Sequence, residues 1–147
     1  MSDIASETIH ATSIAIAGRG VLIMGPSGAG KSDLALRLID RGATLISDDY
    51  TIATLDHGQL LLDAPPTIAG RMEIRHLGIF DMPHVAAVPA ALAIRLEEAP
   101  QRMPDIAPTI RVAGVALPLV TLAGTEPSAP IKAELALRRV GVAGSLS

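Results

Sequence analysis

The chain has 147 residues, the usual size of a single domain. Hydrophobic residues make up 49% of it but aromatic residues only 1%, namely Tyr50 and Phe80, so base stacking on aromatic rings is excluded as a main binding mode. A charged fraction of 18% with a net charge of −3 argues against disorder and against a nucleic-acid-binding surface. The absence of cysteine excludes disulfides, thiolate metal sites and cysteine nucleophiles.

Nothing in the sequence predicts a membrane or secretory segment. The longest stretch without a charged residue, 112–125, is interrupted by Gly114 and Pro118 and is shorter than the roughly 18 apolar residues of a spanning helix. The N-terminus carries Asp3 and Glu7 and lacks the basic region of a signal peptide. We therefore expect a soluble, cytoplasmic protein with neither membrane nor nucleic acid as a partner.

In the first half of the chain, short apolar and β-branched runs predict strands. These runs are 13–17, 21–24, 44–47, 51–55 and 60–62. The first two form a predicted hairpin, as do the last two. A helix is predicted over 32–41 from its one apolar face, with Gly42 ending it. Residues 1–8 are expected to be a loose end.

The second half begins with a segment, 63–84, that glycine and proline interrupt, and it is predicted to be mostly irregular. Three strands follow, at 90–96, 110–112 and 116–122, and residues 144–147 are expected to be a loose tail. A last helix is predicted over 130–139, with Ser128 as its N-cap and Gly141 after its end. Two helices against seven or eight strands predict an α/β fold with a mixed sheet rather than an all-parallel one.

One segment matches the pattern G-x-x-x-x-G-K-[ST] and is called the phosphate loop below. It consists of Gly25, Pro26, Ser27, Gly28, Ala29, Gly30, Lys31 and Ser32. Its glycines allow successive backbone N–H groups to face one phosphate, Lys31 supplies a cation, and the Ser32 hydroxyl can bind Mg²⁺. A predicted strand precedes the loop and an amphipathic helix follows it, as the motif requires. We predict a nucleotide-binding site.

Three carboxylates are candidates for chemistry beside this loop. Asp48 and Asp49 follow a predicted strand, where a carboxylate can hold Mg²⁺ or orient a nucleophile. Because neighbouring side chains of a strand point to opposite faces, the two are not expected to share one role. The alternative is a simple Asp-Asp turn. Glu73, between Arg71 and Arg75, is either a metal ligand flanked by phosphate-binding cations or part of a surface ion-pair cluster.

The remaining polar residues give weaker signals. His10 and Arg102, each taken alone, fit surface positions. His57, His76 and His84 lack the spacing of metal-binding histidines.

Taken together, these segments resemble the C-terminal catalytic domain of HPr kinase/phosphorylase. The likeness rests on His10, the phosphate loop, Asp48-Asp49 and the string Met72-Glu73-Ile74-Arg75-His76-Leu77-Gly78-Ile79, in that order. It extends over about residues 9–140 and implies one catalytic domain spanning 1–147. The implied fold is the phosphate-loop-containing mixed sheet of that domain, which is similar to PEP carboxykinase.

The resemblance also implies a function: an ATP- and Mg²⁺-dependent serine kinase acting on the phosphocarrier protein HPr or a nitrogen-branch homologue. Ser32 and Glu73 would bind Mg²⁺, and the phosphate loop would bind the nucleotide. Asp49 would take the proton from the target serine and return one in the reverse reaction. The other implied active-site residues are Lys31, His10 and Arg102.

Three features depart from the family pattern. Residues 122–126 stand where members with both activities carry Arg-Pro-Gly-Arg, a run tied to dephosphorylation, so reversal by phosphorolysis stays an open alternative. The resemblance covers only the C-terminal domain of long members, so we expect the short form typical of α-proteobacteria. His76 occupies a position usually filled by glycine. A homo-oligomer remains open.

Two other functions also remain open at this stage. The same loop serves small-molecule kinases of the carboxykinase type, and a nucleotide-sensing module without chemistry would need the loop alone. Asp48, Asp49 and Glu73 argue against the sensor, because a sensor needs no general base.

Overall fold

The computed structural model describes residues 5–100 and 108–142. Eleven strands and two helices form within these residues. In chain order they are β1 (Ala5–Ile9), β2 (Thr12–Ile16), β3 (Arg19–Met24), α1 (Lys31–Asp40), β4 (Thr44–Ser47), β5 (Thr51–Asp56), β6 (Gln59–Asp63), β7 (Arg71–Ile74), β8 (Gly78–Asp81), β9 (Val88–Leu96), β10 (Thr109–Val112), β11 (Val115–Leu122) and α2 (Ala129–Val140).

Nine of these strands form one curled, mixed sheet, which confirms the predicted fold class. Seven of them follow the order β1-β5-β6-β9-β3-β2-β4. Strand β9 is the centre of the sheet: it pairs in parallel with β3, while β6 joins it antiparallel near Val88 and β11 joins it in parallel from Ala93 onward. Strand β10 pairs with β11, and β7 and β8 form a separate two-stranded hairpin.

The sheet separates two hydrophobic cores, and β3 shows how alternation divides them. Val21 and Ile23 pack on the helix side with Leu34 and Leu38 of α1, whereas Leu22 belongs to the core enclosed by the curl of the sheet. Successive side chains of a strand point to opposite faces, so one apolar run serves both cores. The cores are built from aliphatic residues, as the composition requires.

Both helices lie near their predicted positions, and α1 buries its predicted apolar face. In α1 the buried apolar residues are Leu34, Ala35 and Leu38, and Gly42, with φ 111°, follows the helix in the left-handed conformation that glycine favours. In α2 the buried apolar face includes Ala133 and Leu137, and Ser128 occupies the N-cap position. The two helices therefore cover one face of the sheet.

Gly20 of β3 lies in close contact with β6 and β9. A Cβ at this residue would lie 2.9 Å from Leu62 Cδ1 and 3.1 Å from the Pro89 carbonyl oxygen. Because β6 approaches β9 near Pro89, the neighbouring strand β3 has no room for a side chain here.

One prediction about local structure was wrong: residues 5–8 are not a loose end, because β1 pairs antiparallel with β5 and extends the sheet. The segment 63–84 is mostly irregular, as predicted, but it also contains the β7–β8 hairpin, which was not predicted. The predicted loose tail, 144–147, lies outside the described residues. Within the described ranges, neither helix has the length and apolar character needed to cross a membrane.

Candidate active site

The ends of four strands meet at one edge of the sheet. Strands β3, β9 and β11 run parallel to one another, and β4 runs in the same direction because β2 is antiparallel to both β3 and β4. Their carboxyl ends therefore lie along one edge, which is where open α/β sheets bind ligands. Along this edge β4 lies on one flank of β3, and β9 and β11 lie on the other.

The phosphate loop joins β3 to α1 at this edge. Gly25, Gly28 and Gly30 have φ values of 155°, 85° and 95°, in the region that glycine enters most easily. A Cβ at Gly28 or Gly30 would meet no heavy atom within 4 Å, so both face open space. The loop thus presents backbone to a concavity at the N-terminal end of α1, where the helix dipole favours an anion.

Lys31 lies along this loop. Its side chain is almost fully buried, and its Nζ donates hydrogen bonds to the carbonyl oxygens of Gly25 (2.8 Å) and Pro26 (3.1 Å). The ammonium group is therefore held at the loop, as the motif predicts.

Asp48 connects three elements around the loop. Its Oδ1 accepts hydrogen bonds from the hydroxyls of Ser32 (2.6 Å) and Thr12 (3.2 Å), and its Oδ2 accepts one from the backbone N–H of Glu73 (3.1 Å). The Asp48 residue is buried, with 7% of its surface exposed. This carboxylate therefore fixes the start of α1 and strand β7 relative to β2.

The side chain of Asp49 points away from that network. The Tyr50 N–H donates a hydrogen bond to the Asp48 carbonyl oxygen (2.7 Å), which closes a tight turn centred on Asp49. Asp49 has φ 70°, a strained conformation for a non-glycine residue. Its carboxylate is 60% exposed and lies 3.0 Å from His10 Nε2. The His10 ring in turn stacks on Tyr50, with the ring centroids 5.1 Å apart. Strand alternation does not explain these different partners, because β4 ends at Ser47 and the two aspartates lie in the turn that follows it.

A cleft of about 650 Å³ lies beside the phosphate loop. It is lined by the phosphate loop and the start of α1, by Asp49 and Thr125, and by residues 73–76 of the β7–β8 hairpin, which include Glu73. The hairpin turns at His76, which has φ 72°. A left-handed residue at this turn explains why glycine suits the position.

The structure brings most of the predicted site residues together. Ser32, Lys31, Asp49 and Glu73 line the cleft, and His10 reaches it through Asp49. Arg102 lies outside the described residues. Arg71 is on β7, but Arg75 is the arginine that lines the cleft.

Three residues that the sequence did not single out belong to the site. Thr12 accepts a hydrogen bond from the Asp49 N–H (3.2 Å) and donates one to Asp48, Tyr50 stacks on His10, and Thr125 lines the cleft. Thr12 precedes the predicted strand 13–17 and is followed by the equally polar Ser13, so nothing in the sequence marked it. Tyr50 carried no signal either, and Thr125 lies in the segment 122–126, which was noted only as a departure from the family pattern.

A mixed sheet with this strand–loop–helix unit and carboxylates at the same edge defines a phosphate-loop α/β protein. The sequence model of the "HPr Serine kinase C-terminal domain" matches residues 3–96. The chain belongs to this family.

Known relatives agree with that membership. The chain is 39% identical over 93 residues to an HPr kinase/phosphorylase of Clostridium tetani, covering 63% of this chain and 30% of the relative. It is 47% identical over 75 residues to HPr kinase/phosphorylase 1 of Oceanobacillus iheyensis, covering 50% and 24%. The chain thus spans less than a third of the length of these relatives.

A solved structure extends the similarity to nearly the whole chain. The HPr(Ser) kinase/phosphatase from Coxiella burnetii matches with a TM-score of 0.77 and 30% identity, covering 90% of this chain and 88% of that one. The mixed fold with two helices is therefore the fold of the family.

Proposed function

We propose that the protein is an ATP- and Mg²⁺-dependent kinase that phosphorylates a serine of an HPr-type phosphocarrier protein. The observation that carries the proposal is the convergence of Asp49 with the phosphate loop in one cleft, in a chain of this family. A carboxylate that is exposed in the cleft and held by a histidine is what transfer to a hydroxyl needs.

The nucleotide phosphates would bind to the backbone N–H groups of the phosphate loop. The open faces of Gly28 and Gly30 support this, because oxygens can approach the main chain there. Lys31 Nζ would exchange a bond to a loop carbonyl for one to a phosphate oxygen.

The residues beside the loop fit a Mg²⁺ ion. Ser32 and Glu73 would hold it: Ser32 donates to Asp48 Oδ1, and the Glu73 N–H donates to Asp48 Oδ2, so one carboxylate ties both residues together. Within residues 5–100 and 108–142 no three histidine or acidic side chains cluster as a metal cage. Mg²⁺ suits such a sparse site, because it keeps several waters and binds substrate phosphates. When bound, the ion neutralises charge on the phosphate oxygens.

Asp49 would act as the general base. Its carboxylate accepts the proton of the serine hydroxyl as the serine oxygen bonds to the γ-phosphorus, and the bond from that phosphorus to ADP breaks. His10, 3.0 Å from Asp49 Oδ1, fixes the orientation of the carboxylate. Arg102 is proposed as a further active-site residue on the family resemblance alone. The proposal covers phosphorylation only, because residues 122–126 replace the run tied to dephosphorylation.

The test is incubation of the full chain with purified HPr, Mg²⁺ and labelled ATP, followed by identification of phosphoserine. Asp49→Asn should retain ATP binding and lose about 10²- to 10⁴-fold in transfer rate. Asp56→Asn, an aspartate on the distant β5–β6 hairpin, is the matched control and should transfer normally. Intact ATP binding without phosphoserine on HPr would refute the proposal, and phosphorylation of a metabolite instead would favour the small-molecule kinase.

A further inference from the structure

Residues 123–126, called segment 123–126, follow β11 at the sheet edge that carries the phosphate loop. Asp49 and His10 lie on the β2–β4 flank of that loop, and segment 123–126 lies on the other flank, beyond β9. In the proposed reaction the γ-phosphate lies next to Asp49, so the other two phosphates extend along the loop away from Asp49. The nucleoside, at the far end of the nucleotide, then lies near segment 123–126.

Arg37 of α1 holds this segment at two points. Its Nη2 donates to the carbonyl oxygen of Gly124, and its Nη1 donates to that of Glu126 at 3.0 Å. The two carbonyls bracket Thr125 in the chain, so the backbone on both sides of Thr125 is fixed. The Arg37 Nε lies 3.1 Å from Asp33 Oδ2, a charge contact that keeps the guanidinium in place.

Gly124 brings the segment against the phosphate loop itself. A Cβ at Gly124 would lie 3.1 Å from the Ala29 carbonyl oxygen and 2.9 Å from Leu96 Cδ1. The segment therefore packs directly on the loop. Thr125, the next residue, is exposed and lines the cleft.

We propose that Arg37 is a positioning residue for the nucleoside end of the cleft, where it fixes segment 123–126 so that Thr125 contacts the sugar or base of the bound nucleotide. This inference rests on the proposed function insofar as it assumes a nucleotide in the cleft. Thr125 is the group in contact with the ligand, and Arg37 acts through it.

The test compares two ligands that share the phosphate chain but not the nucleoside: ATP and inorganic tripolyphosphate, each with Mg²⁺, titrated calorimetrically into the full chain. Arg37→Met should weaken ATP binding about five- to tenfold, the effect of about one lost hydrogen bond, and leave tripolyphosphate binding unchanged. Arg41→Met is the matched control, because Arg41 lies on the same helix but bonds Glu134 of α2 instead of the segment. It should change neither affinity.

A second variant keeps the test independent of any loss of folding. Thr125→Val should weaken ATP binding and spare tripolyphosphate, and in the Arg37→Met background it should add little, since both changes remove one contact. Equal weakening of both ligands by Arg37→Met, or full additivity of the two changes, would overturn the inference. Selective ATP loss without HPr phosphorylation would support it while refuting the proposed substrate. Failure of the wild-type chain to bind any nucleotide would overturn both.

Discussion

Replacing Asp48 by alanine removes a carboxylate that joins β2, α1 and β7. Three donors would lose their acceptor: the hydroxyls of Ser32 and Thr12 and the backbone N–H of Glu73. Thr12 is fully buried, so water cannot replace the lost hydrogen bond of its hydroxyl. An unsatisfied buried polar group lowers the free energy of unfolding by about 1–3 kcal/mol. Ser32 and Glu73 border the cleft, where water replaces part of the lost bond, leaving about 0.5–1 kcal/mol each.

The expected loss in the free energy of unfolding is therefore about 2–5 kcal/mol for Asp48→Ala. With a urea slope of about 2 kcal/mol per M, the unfolding midpoint should fall by about 1–2.5 M at unchanged slope. Equilibrium urea denaturation followed by circular dichroism measures this shift.

Asp49→Ala provides the matched control, because its carboxylate is 60% exposed and its removal should change the free energy of unfolding by less than about 1 kcal/mol. Equal midpoints for the two alanine variants would refute the structural role assigned to Asp48. Asp48→Asn should fall between the wild type and Asp48→Ala, since an amide oxygen can still accept some of these bonds.

Three further outcomes are expected. Leu92→Ala, at a fully buried position of β9, should cost about 2–5 kcal/mol of unfolding free energy in the same urea assay, and a loss below about 1 kcal/mol would contradict its place in the core. The hydrogen bond from Arg41 lowers the pKa of Glu134, so this stabilisation is present above the unfolded value of about 4.3 and is lost as pH falls through the lowered folded value. The difference in Tm between wild type and Glu134→Gln should therefore close below about pH 4, and a constant gap would be inconsistent with that linkage. Gly124→Ala should weaken ATP binding several-fold in calorimetric titration, because its Cβ would meet Leu96 and the Ala29 carbonyl; wild-type affinity would show that the segment can move aside.

Sequence patterns predicted the elements that bury an apolar face. The β2–β3 and β5–β6 hairpins and both helices carry that pattern within a few neighbouring residues, and each lies near its predicted range. Strand β1 was not predicted because its side chains are mostly polar and exposed, so only backbone pairing with β5 identifies it as a strand. Strand β8 was not predicted because all four of its residues are exposed, including Ile79 and Phe80, so it has no buried face.

The candidate site, too, was predicted from the sequence only in its local part. The phosphate loop is a local motif, and its geometry follows from its glycines. The distinct surroundings of Asp48 and Asp49 depend on the turn at Asp49 and on β7 lying across the sheet edge, two features set by long-range packing. Thr125 could not be found from the sequence, since a threonine after a strand has no chemical signature until the chain folds back onto the loop.

The central position of β9 has a consequence for how the protein folds. In the parallel pair of β3 and β9, Val21 lies opposite Leu92 and Met24 opposite Arg95. During synthesis, the edge of β3 that pairs with β9 therefore has no partner until β9 has left the ribosome. The earlier hairpins can form at once, whereas the parallel centre must wait for contacts between distant residues, which are slow to form. In that interval an apolar strand with an open edge is exposed to other chains. Aggregation on rapid expression, relieved by slower synthesis, would follow from this order of assembly.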